Sequence, residues 1–430
     1  MATLTALLIF VISYIFIISE KFNRALVAGS GGLAMLLFGV YDLDHVFKEY
    51  IDWHTIALLF SMMILVSVTS KTGVFEFIAV LVAQSIKGKP IQLLFMIAGM
   101  TAVGSAFLDN VTTVLLFVPV LLTLTNILQV PAVPYLTVVI LSSNIGGTAT
   151  LIGDPPNIMI GQAVDHLTFN DFLVNLAPVA IVILVIVVCC MALIYRKNLY
   201  ISEQNRQKLL AMNASDFLQR SPLLYKSIAV LSCTIMGFVL HPIIHADLTS
   251  VAMGGALLLL LLTHREYDTE EAFKNVEWVT LFFFIGLFML VGGLEQVGII
   301  DEIARNILYY TEGDLPKTSL FILWTSGILS GFVDNIPFVA AMIPVITEFQ
   351  EYGMTNLDPL WWSLALGSCL GGNGTLIGAS ANVVVAGLAS KARHEIKFID
   401  FMKVGIPVVL VSMLISTIYI YFRYLIYYQM

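Results

Sequence analysis

The sequence predicts an all-α integral membrane protein built from two inverted-topology repeats. Composition is the first observation behind this prediction. Of the 430 residues, 59% are hydrophobic and only 12% are charged, and the mean hydropathy is +0.92. Soluble domains are about 45–50% apolar and about 25% charged, so lipid must solvate most of this surface. The second observation is that the chain repeats itself at a constant offset of 225 residues.

The repeat needs no insertion from Trp53 to Asn157 in the first half of the chain. The matching positions are Trp53/Trp278, Gly73/Gly298, S-A-F-L-D-N (105–110)/S-G-F-V-D-N (330–335), Pro119/Pro344, Ser143/Ser368, Gly146-Gly147/Gly371-Gly372, T-L-I-G (150–153)/T-L-I-G (375–378) and Asn157/Asn382. Repeated halves with interrupted apolar segments at corresponding places are the sequence pattern of secondary transporters.

Apolar segments long enough to cross a bilayer follow one another along the chain. A membrane-spanning helix needs roughly 17–25 apolar residues. We expect full spans near 2–19, 25–40, 54–70 and 172–195 in the first repeat, and near 222–240, 249–263, 277–292 and 403–426 in the second. An amphipathic segment follows the third span of each half, at 72–86 and 297–309.

Each repeat also carries a hairpin and a broken span. The predicted hairpins are 90–128 and 317–348, each turning at an Asp-Asn pair, and the predicted broken helices are 132–164 and 357–389. Non-helical backbone survives at membrane depth only inside protein or around a watery cavity, so the Gly-rich interruptions should face a bound ion or substrate. Because a hairpin leaves on the side it entered, each repeat crosses five times, giving about ten spans, and the second repeat is inverted.

Charge predicts the orientation of these spans. The layout divides the chain into a first inverted repeat (1–195), a linker (196–221) and a second inverted repeat (222–430). It places seventeen of the 21 Lys and Arg residues on the face that holds the linker. Basic residues favour the cytoplasmic side, so the linker should be cytoplasmic and both termini non-cytoplasmic. We expect the plasma (inner) membrane as the location.

Three aspartates lie at membrane depth in this layout. Asp109 and Asp334 sit at the two hairpin tips, and Asp154 follows the first broken-helix loop, where the second repeat has Ala379. Ionisable groups in the bilayer are costly and usually functional. Asp154 precedes two prolines and is equally compatible with a structural helix cap. The layout puts no Lys or Arg at this depth, which argues against a site that grips a polyanion by ion pairing.

Each hairpin tip should meet a broken helix, giving two pseudo-symmetric polar pockets. Their carbonyl, Asn and Thr oxygens suit Na⁺, and a buried carboxylate can carry a proton. We expect Na⁺ near Asn110/Asn144 and near Asn335/Asn373. The candidate ion- or substrate-binding residues are Asp109, Asn110, Thr112, Ser143, Asn144, Gly146, Gly147, Thr148, Thr150, Asp154, Asn157, Asp334, Asn335, Ser368, Gly372, Asn373, Thr375, Ser380 and Asn382.

Other classes of function have little support in the residues. We see no nucleophile–base arrangement and predict neither catalytic residues nor an enzyme. No G-x-x-x-x-G-K-[ST] motif is present, so the chain itself encodes no ATP-driven pump. We expect no cofactor beyond H⁺ or Na⁺ as coupling ion, and no nucleic-acid partner. A channel formed by the two hairpins remains an alternative.

Two stretches resemble a known family. They are F-L-D-N-V-T-T-V-L-L-F-V-P-V (107–120) and S-N-I-G-G-T-A-T-L-I-G-D-P-P-N-I-M-I (143–160). They are similar to the ion transporter superfamily, in the branch of the melanosomal P protein, ArsB-type arsenite permeases and citrate-transporter-type permeases, and closest in motif to the P protein. The resemblance implies a scaffold domain, a mobile domain with both hairpins, elevator-type alternating access and a homodimer. The hairpin tips read Asp-Asn, unlike the Ser-Asn-Thr of the dicarboxylate symporters.

The expected function is therefore secondary active transport of a small substrate across the bilayer. An arsenite-, antimonite- or silicic-acid-like oxyacid, or Na⁺, would move in a process coupled to H⁺ or Na⁺. If the substrate is arsenite, the resemblance implies a cytoplasmic ATPase as partner. The alternatives are a cation-coupled di- or tricarboxylate (citrate-like) transporter and an anion-conducting channel.

Overall fold

The structure is a computed structural model that describes residues 2–19, 21–87, 89–196 and 201–426. These residues form helices and connecting turns, and none of them lies in a strand. Eight of the described helices are long and apolar enough to cross a membrane, and five shorter helices are also apolar. The predicted fold class, an all-α integral membrane protein, is confirmed.

The described residues of the first repeat form ten α-helices. They are α1 (Ala2–Ser19), α2 (Arg24–Leu37), α3 (Leu43–His45), α4 (Trp53–Ser70), α5 (Val74–Ser85), α6 (Pro90–Leu108), α7 (Asn110–Leu128), α8 (Ala132–Gly147), α9 (Pro155–Ala163) and α10 (Phe169–Tyr195), with a π-helical turn at Val46–Tyr50. The linker contains α11 (Glu203–Leu210) and a 3₁₀ turn at Ala214–Phe217, and its residues 197–200 lie outside the described part of the chain.

The second repeat mirrors the first. Its helices are α12 (Pro222–Ile244), α13 (Leu248–Thr263), α14 (Thr269–Lys274), α15 (Trp278–Gln296), α16 (Ile299–Thr311), α17 (Leu315–Ser330), α18 (Asn335–Glu348), α19 (Asp358–Gly371), α20 (Ser380–Lys391) and α21 (Phe398–Ile420), with a 3₁₀ turn at Gly372–Gly374 and a π-helical turn at Tyr421–Leu425. At the 225-residue offset, α4 to α7 start within one residue of α15 to α18.

Repeat symmetry reaches the backbone at two glycines. Gly73 precedes α5 and Gly298 precedes α16, with φ of +71° and +77°. Glycine adopts such angles without the steric cost that a side chain would bring. The two glycines, which are 225 residues apart, therefore form the same turn at the start of an amphipathic helix in each half.

Each hairpin turns over a very short connection. A single residue, Asp109, separates α6 from α7, and α18 starts directly after Asp334. The second hairpin begins two residues before its predicted start at 317, because the Asp314 carboxylate accepts a hydrogen bond from the Lys317 amide (2.9 Å) and caps α17. The second broken helix likewise ends at Lys391, two residues after its predicted end.

Repeat-related asparagines hold the two broken-helix loops. Asn157 Nδ2 donates to the carbonyl of Thr150 at 2.8 Å and to that of Thr148 at 3.2 Å. Asn382 Nδ2 donates to the carbonyls of Gly372 (2.8 Å) and Thr375 (2.9 Å). Buried carbonyls outside regular structure need such partners, so these amides make the helix breaks tolerable inside the protein.

Helices of the two repeats pack against each other around the hairpins. In each half, the first hairpin arm packs on the broken helix of its own repeat, α6 on α8 and α17 on α19. The second arms pack across, so that α7 contacts α20 and α18 contacts α9. This exchange brings both hairpin tips and both broken-helix loops to one place.

The orientation of the linker is open to direct labelling. Ser215 lies exposed in the linker, and Glu351 lies exposed after the second hairpin. The charge distribution predicts that a membrane-impermeant maleimide labels Glu351→Cys in intact cells, but labels Ser215→Cys only after permeabilisation. The native cysteines would first be replaced. Labelling of Ser215→Cys from outside would contradict the orientation.

Candidate functional site

Asp154 lies at the point where the two hairpin tips meet. Its carboxylate is fully buried. Oδ1 accepts a hydrogen bond from Asn110 Nδ2 of the first hairpin and one from Asn335 Nδ2 of the second, each at 3.3 Å. One carboxylate from the first broken helix therefore contacts both repeats.

Asn144 extends this cluster into the second broken helix. Its Oδ1 accepts from Asn110 at 3.3 Å, and its Nδ2 donates to Asn373 Oδ1 and Asn382 Oδ1 at 2.9 Å each. We call the six residues Asn110, Asn144, Asp154, Asn335, Asn373 and Asn382 the central cluster. Five are amides, and every one is at most 3% exposed.

The central cluster corrects the prediction of two separate pockets. A single hydrogen-bonded network joins both repeats, because the crossed packing of α7 with α20 and of α18 with α9 merges the two ends. Asn110 and Asn144 are paired as expected. Asn335 and Asn373, which we expected to share a second Na⁺ position, instead bond to Asp154 and Asn144 respectively.

One acceptor in the central cluster is left over. Asn110 Oδ1 is buried and has no hydrogen-bond partner among the described residues. An unsatisfied buried acceptor costs about 1–3 kcal/mol, which a ligand can recover. Asn110 also contacts the Asp154 carboxylate through Nδ2, so a free oxygen and a carboxylate lie close together. Amide and carboxylate oxygens are suitable ligands for a small hard cation.

Asp154 does not act as a helix cap. Its side chain makes no hydrogen bond to the backbone at the start of α9. Pro155 and Pro156 open that helix and have no N–H to donate, so part of the usual demand for a cap is missing. The alternative that this carboxylate serves as a helix cap is therefore not supported by its contacts.

The hairpin-tip aspartates do cap helices. Asp109 Oδ1 accepts from the Thr112 amide at 2.8 Å and Oδ2 from the Thr112 hydroxyl at 2.6 Å. Asp334 Oδ1 accepts from the Ile336 amide at 3.2 Å. The backbone differs between the two tips, since Asp109 has φ +73° and ψ 158°, a region that costs a side-chain-bearing residue about 1–3 kcal/mol.

Arg24 corrects the expectation that no basic residue reaches this depth. Its guanidinium NH1 lies 2.9 Å from Asp334 Oδ2 and 2.5 Å from Ser380 Oγ. The guanidinium also lies over the Phe283 ring, 4.9 Å from the centroid. Charge counting had placed Arg24 on the cytoplasmic surface, but α2 begins at this residue and points its side chain at the hairpin tip.

The remaining predicted hydroxyls bond mainly to the backbone. Thr148, Thr150 and Thr375 donate to the carbonyls of Asn144, Ala106 and Gly331. Ser143 and Ser368 donate to carbonyls one turn back in their own helices, at 2.9 Å and 2.7 Å. These hydroxyls hold the loops in place through backbone carbonyls, one of which belongs to Asn144 of the central cluster.

The predicted glycines allow close backbone approach. A Cβ on Gly147 would lie 2.6 Å from the carbonyl oxygen of Gly153, and one on Gly372 would lie 2.9 Å from that of Gly378. Gly146 meets the backbone of Ala102 even more closely. These positions shape the loops of the broken helices and offer no side chain to a ligand.

A cleft of about 720 Å³ leads to the site, and we call it the first cleft. It opens at the N-terminal end of α15, and Arg24, Asp334 and Ser380 are among the residues that line it. A small cavity of about 20 Å³ shares Arg24 and Ser380 with this cleft and is also lined by Asn110 and Asp154. The first cleft thus reaches the edge of the central cluster.

A second cleft, of about 340 Å³, opens at the opposite end of α15. Its lining residues Asp52, Met159 and Ala340 are the repeat counterparts of Glu277, Val384 and Leu115 in the first cleft. None of its described lining residues belongs to the central cluster or to a hairpin tip. The two clefts thus share three repeat-related lining positions, and of the two only the first reaches the site.

The fold and this site have counterparts in known proteins. A sequence profile of the citrate transporter (CitMHS) family matches residues 14–367. The chain belongs to this family. It is 38% identical to the "uncharacterized transporter Mb2703" of Mycobacterium bovis, over 98% of this chain and 99% of that protein. It is 34% identical to the human P protein, over 95% of this chain and 58% of that protein.

A solved structure shows the same fold at low sequence identity. The crystal structure of the YdaH transporter of Alcanivorax borkumensis, described as having an unusual topology, matches with a TM-score of 0.59 at 13% identity, over 97% of each chain. The predicted resemblance to the ion transporter superfamily is confirmed, and this CitMHS-family chain is a membrane transporter.

Three residues at the site of this CitMHS-family protein were not predicted, besides Arg24. Glu277 and Thr280 line the small cavity and bond to each other, with Thr280 Oγ1 donating to the Glu277 carboxylate at 3.1 Å. Glu277 is the repeat counterpart of Asp52, so an acidic pair at the start of matching spans was a usable signal. The Cys369 thiol donates to Asn157 at 3.5 Å, and its repeat counterpart is Asn144.

Asp109→Asn tests the charge of the first hairpin tip apart from its capping. Asn caps helices about as well as Asp and bears the same backbone cost at this position as Asp does, so folding should be retained. Because the carboxylate lies beside the central cluster, we expect a transport rate reduced by about tenfold with little change in melting temperature. A wild-type rate in proteoliposomes would show that Asp109 is only a cap.

Proposed function

We propose that this protein is a secondary active transporter that moves a small inorganic ion or neutral oxyacid in a process coupled to H⁺ or Na⁺. The observation that carries the proposal is the buried Asp154 carboxylate, which contacts Asn110 and Asn335 from the two hairpins. Uncompensated carboxylates are rarely kept in a membrane protein without a function in ion handling.

Charge around the site favours a cation as the coupling species. The small cavity is lined by three carboxylates, those of Asp109, Asp154 and Glu277. Its one guanidinium among the described lining residues, that of Arg24, is already paired with Asp334. Opposite charges attract strongly where the dielectric is low. A cation therefore gains more from this site than a polyanion does.

The two clefts suit alternating access. Because they lie at opposite ends of α15 and share repeat-related lining positions, an exchange of conformation between the repeats would close the first cleft over the site and connect the second cleft to it. The resemblance adds an elevator-type movement and a homodimer to this proposal, and a cytoplasmic ATPase partner if arsenite is the substrate.

A citrate-like substrate is a second candidate, because Arg24 lines a cleft large enough for a tricarboxylate and the matching family is described as citrate transporters. A guanidinium can donate two parallel hydrogen bonds to one carboxylate group. The charge balance of the site makes this the weaker proposal unless Asp334 is neutralised.

The experiment is solid-supported membrane electrophysiology on reconstituted protein. The panel contains arsenite, antimonite, silicic acid, Na⁺ and citrate, each applied with and without a pH or Na⁺ gradient. We expect a saturating response to an inorganic solute that depends on the gradient. A response to citrate alone would favour the second candidate, and a conductance that neither saturates nor depends on a gradient would indicate a channel.

A further inference from the structure

The second hairpin tip carries its own positive charge. Arg24, Asp334 and Ser380 form a closed triangle, in which the Ser380 hydroxyl donates to Asp334 Oδ2 at 2.8 Å and the guanidinium contacts both. The Asp334 and Arg24 side chains are 14% and 29% exposed. The ion pair is therefore largely shielded from water.

At the first hairpin tip, no described residue forms an ion pair with the aspartate. At the 225-residue offset Arg24 corresponds to Thr249, whose hydroxyl donates to the carbonyl of His54. Asp109 is bonded instead to the neutral Thr112. Pseudo-symmetry alone predicts one cation position at each tip, but the guanidinium already fills the second.

We infer that Arg24 is a built-in counter-ion of the second hairpin tip and occupies the place of a mobile cation beside Asp334. The Asp154 end is then the single position for a coupling cation. The inference rests on the proposed function, because it concerns the same coupling ion. The free Asn110 oxygen supports it, since the unfilled acceptor lies at the Asp154 end and not beside Asp334.

The charged groups around Asp334 come from several elements. Arg24 from α2 and Glu277 from the start of α15 line the first cleft together with Asp334. The same two residues line the small cavity together with Asp154 from the first broken helix and Asp109 from the other hairpin tip. Of these neighbours only Arg24 is positive. Removing its charge should leave Asp334 uncompensated and create a second cation position there.

The test compares wild type with Arg24→Gln, Asp334→Asn and the double variant in proteoliposomes, using Na⁺ jumps and, separately, pH jumps. Asp334→Asn leaves the guanidinium unpaired, so its response should fall at least about tenfold. The double variant should recover most of that loss, as coupled partners do in a mutant cycle. Arg24→Gln alone should give a steeper cation dependence, with a Hill coefficient above that of wild type.

Lys71→Gln is the matched control, because it removes the cation of a half-exposed ion pair with Glu271 (2.6 Å) that lies outside both clefts. It should leave the response unchanged. A double variant no better than Asp334→Asn overturns the inference. If Asp334→Asn is not obtained as folded protein, an unchanged cation dependence in Arg24→Gln overturns it. A wild type that responds to neither jump contradicts the proposed function instead, whatever the variants do.

Discussion

Asp154→Asn is expected to remove cation coupling while leaving the protein folded. The substitution keeps the size of the side chain but replaces a charged acceptor, and its new amide group faces the donors of Asn110 and Asn335. Each lost or opposed pairing of a buried polar group costs about 1–3 kcal/mol, so the rate should fall by roughly 10- to 100-fold. An amide takes up no proton, so the pH–rate profile of the residual activity should be flatter than that of wild type.

The measurement is transport rate against pH in proteoliposomes, beside the melting temperature of the same preparation. Asp358→Asn is a matched control, because Asp358 is half-exposed and pairs with His166 away from the site. It should keep both the rate and the pH profile of wild type. If Asp154→Asn keeps the wild-type pH profile and loses only thermal stability, the carboxylate is structural after all.

Much of this fold could be predicted because the sequence repeats itself, so that each structural feature is marked at two positions. The match of S-A-F-L-D-N with S-G-F-V-D-N marked both hairpin tips, and Asp109 and Asp334 lie there. The match of Asn157 with Asn382 marked two side chains that hold equivalent loops. Positions with the same residue in both halves support a backbone conformation that both halves share. Their recurrence at the 225-residue offset is what identifies them in the sequence.

The connection between the halves could not be predicted in the same way. Asn144 bonds to Asn373 and Asn382, yet its own repeat counterpart is Cys369. These contacts between the repeats join positions that are not equivalent, so the offset does not reveal them. The repeat therefore indicated two pockets where crossed packing makes one.

Arg24 shows a second limit. A basic residue beside an apolar segment is normally counted as a surface charge, and the positive-inside rule treats it so. Only the tertiary position of α2 against the second hairpin brings its guanidinium to Asp334. The sequence contains one indication. Arg24 is charged where its repeat counterpart Thr249 is neutral, as Asp154 is charged where Ala379 is neutral.

Gly146→Ala and Gly371→Ala are expected to destabilise the transporter strongly. A Cβ on Gly146 would lie 2.3 Å from the Ala102 carbonyl oxygen, and one on Gly371 would lie 2.5 Å from that of Gly327. Both obstacles are backbone atoms, so α6 must move from α8, or α17 from α19, to make room. Overpacking of this kind costs about 1–3 kcal/mol and more where the backbone has to shift. The measurement is the melting temperature of purified protein in detergent.

Two glycines provide the control for these substitutions. Gly99 in α6 and Gly387 in α20 have no atom within 4 Å of an added Cβ. Ala at either position should be neutral or stabilising by up to about 1 kcal/mol, because Ala favours helix over Gly. A melting temperature for Gly146→Ala equal to that of Gly99→Ala would mean that α6 and α8 separate freely. The first hairpin arm and its broken helix could then not hold Asn110, Asn144 and Asp154 as one rigid site during transport.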